Sequence, residues 1–154
     1  MITIINRQRK ITIDIKAIKT KTEKMIEVLG YKGFDVSILF TTNASIQKFN
    51  KQFRHKNKPT DILSFPYHAN IKPGQKIKTT TPDDKNLGDI IISVEYVNKV
   101  AAELKTSLQQ HITRLLAHGL AHLLNYDHHT DVDFKAMEKV ERQLMSEFGL
   151  NLEK

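Results

Sequence analysis

Four of the seven histidines fall between His118 and His129, and three of them stand in the run HGLAHLLNYDH as His118, His122 and His128. A neutral imidazole nitrogen is a good ligand for a transition metal, so spacing decides whether such a cluster can share one ion. On a helix, residues four apart lie on one face about 6 Å apart along the axis, which lets His118 and His122 reach the same ion. A third ligand six positions later requires the chain to turn soon after His122. Asn125 supplies that turn, because Asn tolerates the left-handed conformation that ends helices; a helix stopping near Leu124 lets NYDH fold back and present His128. A His pair four apart is common in helices by itself, and the third His with a turn residue between them sets this group apart. Three protein ligands leave one coordination position open, the arrangement of a catalytic zinc. One Zn2+ ion is the expected cofactor, although three imidazoles also suit nickel or copper.

The related HExxH pattern of metallopeptidases places a general-base Glu beside the first His. Here that position is Gly119, which removes the base and most of the case for a peptidase. A glycine inside a helix costs about 1 kcal/mol relative to alanine, so its presence points to close packing or to room for substrate. His111, seven residues before His118, shares its helical face and could lie in the core, support a ligand from behind or face substrate; a core or exposed position is the expectation. His129 is expected to be a solvated loop residue. Asp127 is expected either to orient an imidazole or to cap the turn.

The elements that must position these residues are readable in outline. ITIIN reads as a strand, and Ile15 to Leu29 as an amphipathic helix ending at Gly30. Asp35 to Thr41 reads as a second strand, followed by a helix that Asn43 could cap and that carries Ile46, Phe49 and Phe53 on one side. Phe53 is thereby expected in the core. DILSFPY and LGDIIISV are two further strands, separated by HANIKPGQKIKTTTPDDKN, which is expected to be a solvated connector, with a substrate lid as the alternative. Three helices follow, from Val94 to about Leu104, Leu108 to Leu124 and Val132 to Phe148. The order predicts a single α/β domain over residues 1–154, with a mixed sheet of about four strands packed against several helices, one of them a zincin-like His-bearing helix.

With 24 Lys and Arg against 17 Asp and Glu, the chain carries a formal charge of +7, which attracts polyanions such as nucleic acid. There is no cysteine, so disulfides and thiolate metal sites are excluded, as suits a reducing cytoplasm. The basic residues of MITIINRQRK follow its apolar stretch, the reverse of a secretory signal, and no apolar run approaches bilayer-spanning length. A cytoplasmic protein without membrane contact is expected.

Three segments carry a family likeness. HGLAHLLNYDH resembles the HGxLHLxGYDH signature of the YbeY endoribonucleases, a family involved in maturation and quality control of ribosomal RNA. NKQFRHKNKPTDILSFP resembles that family's NxxYRxKDxPTDVLSFP, and LGDIIIS its LGDIxIS strand. All three occur in the family order and together span Asn50 to His128. The departures are Asn125 for glycine, Ala121 for a larger apolar residue, Phe53 for tyrosine and Asn57 for aspartate. None removes a metal ligand, though a side chain at the left-handed turn of Asn125 could shift His128.

The resemblance implies that His118, His122 and His128 bind zinc and that Arg54 takes part in catalysis or RNA binding. It implies a metal-dependent endoribonuclease specific for single-stranded RNA. Such an enzyme would act at the 3′ end of small-subunit (16S) rRNA and in ribosome quality control, with rRNA and small-subunit components as partners. A guanidinium in that role could donate to two nonbridging phosphate oxygens at once. Lys51, Lys56 and Lys58 flank Arg54 and are expected to be either a basic track for the RNA backbone or a solvated face. The nucleophile is either a metal-activated water or the ribose 2′-hydroxyl. The rival readings are a zincin-type metallopeptidase and a non-catalytic, ribosome-associated RNA-binding factor with structural zinc.

Overall fold

A computed structural model describes residues 1–151, and the elements that follow are those of the described residues. The order is β1 (Ile2–Asn6), α1 (Ile15–Val28), β2 (Asp35–Thr41), α2 (Asn43–Arg54), β3 (Ile62–Pro66), a 3-10 turn (Pro82–Asp84), β4 (Asn86–Ser93), α3 (Val94–Glu103), α4 (Leu108–Leu123) and α5 (Asp131–Ser146). The strands form one mixed sheet in the order β1-β2-β4-β3. β1 pairs parallel with β2 and β2 with β4, whereas β3 runs antiparallel to β4 at the edge. Parallel neighbours need a crossover, and α1 supplies the one between β1 and β2.

Alternation along the strands sorts side chains between two faces. Val36, Ile38 and Phe40 of β2 and Ile90 and Ile92 of β4 enter the main core, where Ile18 and Met25 of α1, Ile112, Leu116 and Leu120 of α4 and Leu144 of α5 meet them. On the other face Leu63 and Ile91 pack beneath Ile46 of α2 in a smaller cluster. α4 is buried along most of its length because it touches β3 and β4, α1, α3 and α5 together.

Two glycines allow close approaches that place the site. A Cβ at Gly119 would stand 2.9 Å from Ile62 Cδ1 and 3.1 Å from Ile90 Cδ1, so α4 packs closely on the sheet one residue after His118. Gly88 has φ +130° and sits at a register shift between β2 and β4, where a Cβ would run into the Phe65 carbonyl oxygen.

Three expectations are corrected. Thr42, not Asn43, caps α2: its side chain accepts from the Ser45 N–H. Asn43 is the first helical residue, and its Oδ1 accepts from Ser93 Oγ at 2.7 Å, tying α2 to the end of β4. Phe53 is 48% exposed, because it borders an open apolar groove over the sheet face that α2 covers only in part, and there it stacks on Phe49 and meets Phe65 edge-on at the rim. The long connector between β3 and β4 is not merely solvated. Ile77 is buried in the core, Ile71 packs against it, and the Ile77 N–H donates to the Tyr31 hydroxyl. Two isolated apolar residues are enough to fasten an otherwise polar segment.

Candidate metal centre and its cleft

α4 carries His118 and His122 on one face, with their Nε2 atoms 3.1 Å apart. The helix then ends in a Schellman turn: the Tyr126 N–H donates to Ala121 O and the Asn125 N–H to His122 O, with Asn125 at φ 64°. The Asn125 side chain does not displace the turn. Its Nδ2 donates to His68 O at 2.8 Å and Ile71 O at 3.0 Å, bonds that the glycine of the family pattern has no side chain to make. After the turn the Asp127 carboxylate accepts from the His128 N–H at 2.7 Å, and the His128 ring comes within 6.0 Å of His118 and 5.5 Å of His122, centre to centre. One ring nitrogen from each of the three lies within 4.8 Å of the others.

Hydrogen bonding fixes which nitrogens face inward. His122 Nδ1 is 3.0 Å from Tyr126 O, which can only accept, so Nδ1 carries the proton and Nε2 is left with its lone pair. His118 Nδ1 stands 3.0 Å from Glu141 Oε1, which imposes the same tautomer. Two bare lone pairs facing each other repel, and a shared cation removes that repulsion. Two nitrogens bound tetrahedrally to zinc at ordinary bond lengths lie about 3.3 Å apart, close to the separation present. The residues therefore fit a metal ion. Burial lowers the proton affinity of His122 below the ordinary histidine range, and the neighbouring His118 and His128 push the same way, so its lone pair stays available to a metal.

The cluster opens into a cleft of about 550 Å³ bounded by the end of α2, the segment before β3, and the α4 turn. Arg54 enters it from the last position of α2. Its Nη2 donates to Ser64 O at 2.8 Å and its guanidinium lies 5.0 Å from the centre of the Phe65 ring. The loop beyond is held by Asn50, buried at 3% exposure, whose side chain donates to Lys58 O. Lys56 and Lys58 line the cleft with Arg54, while Lys51 is exposed on α2 outside it.

Among the remaining candidates, His111 is buried but lies outside the cluster, and His129 is exposed and pairs with Asp127. Asp127 shapes the turn rather than orienting one of the three imidazoles. Position 119 faces Ile62, Ile90 and Ser64, so a peptidase-type glutamate there would point into the sheet. The sequence reading missed Glu141, the Tyr126 carbonyl and Asn50. Glu141 left a trace as an acidic residue at an apolar position of α5, and Asn50 and Tyr126 as members of the family-like segments.

An α/β sheet that sets three convergent imidazoles on the wall of a basic cleft defines a class of protein able to hold a metal ion beside an anionic substrate. Comparison with known proteins narrows that class. The family model described as Endoribonuclease YbeY matches residues 3–149. The chain is 36% identical to the human Endoribonuclease YbeY over 148 residues, covering 96% of this chain and 88% of that protein. It is 35% identical to the protein of that name from Caldicellulosiruptor bescii over 155 residues, covering 97% and 98%. A solution structure of a Thermotoga maritima protein shares the fold, with a TM-score of 0.59, 22% identity, and coverage of 97% of this chain and 92% of that one. The chain belongs to the YbeY endoribonuclease family.

Proposed function

We propose that this protein is a zinc-dependent endoribonuclease that cuts single-stranded RNA in the cytoplasm, acting at the 3′ end of 16S rRNA and in ribosome quality control together with small-subunit components. The observation that supports it most is the pair of inward Nε2 lone pairs 3.1 Å apart, in a cleft that also receives the Arg54 guanidinium. His118, His122 and His128 are the ligands that would hold the zinc. When bound, the ion supplies a Lewis acid beside the scissile phosphate.

The chain's own residues do the rest. Lys56 and Lys58 draw the phosphate backbone into the cleft. Arg54 spends one N–H on Ser64 O and rests on Phe65, which leaves other N–H groups on a braced guanidinium for the phosphate. A donor already in place when charge grows on the nonbridging oxygens costs no reorganisation at the moment of reaction. The attacking oxygen comes from water or from the ribose 2′-hydroxyl, and a 2′,3′-cyclic phosphate product would identify the latter.

The test is elemental analysis together with cleavage of a defined single-stranded RNA by wild type, Arg54→Ala and His122→Ala. Wild type is expected to hold one zinc and cut. Arg54→Ala is expected to keep its zinc and its fold while turnover falls about 10²- to 10³-fold, the loss typical of a missing charge-stabilising donor. His122→Ala is expected to lose both metal and cleavage. Wild-type turnover in Arg54→Ala contradicts the role given to Arg54.

A further inference from the structure

Glu141 stands where the pattern of α5 calls for an apolar residue. Met137, four positions before it, and Leu144 and Met145, three and four after, are all buried at 2% exposure or less, and residues at these spacings share one helical face. The Glu141 side chain is itself only 16% exposed. A carboxylate in an apolar stripe loses hydration and is tolerated when a partner repays the loss. That partner is His118 Nδ1 at 3.0 Å. Glu138, one turn earlier and about twice as exposed, pairs with Arg142 of its own helix instead. The connection is also economical in chain length: the turn that presents His128 runs directly into α5, capped by Thr130, so one segment delivers the third imidazole and the carboxylate behind the first.

We propose that Glu141 is a positioning residue for the metal. It holds His118 in the tautomer that turns Nε2 into the cleft, makes that nitrogen a stronger donor, and adds a negative charge one imidazole away from the ion. The inference rests on the metal reading above. A group of this kind typically contributes 10- to 100-fold in metal affinity without touching the metal.

The experiment measures zinc affinity of metal-stripped protein by competition with a chromophoric chelator, and thermal unfolding of the same metal-stripped samples. The proteins compared are wild type, Glu141→Ala, Glu141→Gln, Glu138→Ala and His122→Ala. Zinc binding is expected to weaken about 10- to 100-fold in Glu141→Ala and by less in Glu141→Gln, which keeps a carbonyl acceptor, while Glu138→Ala matches wild type. Metal-free melting of Glu141→Gln is expected to match wild type, so the loss belongs to the metal and not to the fold; if Glu141→Ala does not fold, Glu141→Gln carries the comparison. Wild-type affinity in the Glu141 variants, with affinity lost in His122→Ala, overturns this inference alone. Wild-type affinity in His122→Ala overturns the metal reading beneath it.

Discussion

His111 is 8% exposed, and neither of its ring nitrogens meets a hydrogen-bond partner among the described residues. Burial lowers its proton affinity; Asp61 opposes the shift and Arg114 adds to it. The unfolded chain therefore takes up a proton near the ordinary histidine pKa of about 6.5, before the folded chain does. The resulting stability is full above that pH and is lost as pH falls toward the depressed folded value. Chemical unfolding from pH 7.5 to 5 is expected to show a shallower fall in stability for His111→Gln than for wild type; equal slopes would remove His111 from the acid response. At this scale the convergence of His118, His122 and His128 was legible in the sequence, because their spacing is local to one helix and one turn. Glu141 was hidden, since its meaning depends on which helix its face meets.

The α4 terminus and its neighbours show what an element requires of individual residues. Asn125 replaces the usual glycine at the left-handed position and offsets that strain with two bonds to the connector. Asn125→Gly gives up those bonds and relieves the backbone, for a net loss of about 1 kcal/mol, and amide exchange across residues 68–77 is expected to quicken while zinc content holds. Unchanged exchange would mean that the connector is held without help from the Asn125 side chain. Gly88→Ala meets a backbone oxygen and is expected to cost about 3 kcal/mol or more in urea unfolding, whereas Gly119→Ala meets only side-chain tips and is expected to cost less. Strand and helix positions were legible because periodicity is local. The Thr42 cap, the rim position of Phe53 and the fastened connector were not, since each depends on what a distant element presents.

Across the whole molecule, the +7 charge acquires a direction through the fold. Of the three lysines near Arg54, Lys56 and Lys58 line the cleft and Lys51 does not. If each contacts one phosphate, replacing Lys56 and Lys58 by alanine lowers the slope of log affinity against log salt by about 1.4 for single-stranded RNA, while Lys51→Ala leaves it unchanged. A slope equal to wild type in the double variant would move the RNA elsewhere. The mixed sheet was legible from the alternation of strands and helices, but its order β1-β2-β4-β3 was not, because pairing between strands far apart in sequence leaves no local signal. The most direct test of the central claim is a zinc titration of the metal-stripped protein while cleavage of a single-stranded RNA is followed. Activity is predicted to be absent at the start, to rise with zinc and to level off at one equivalent per chain; undiminished cleavage by the metal-stripped protein would contradict it.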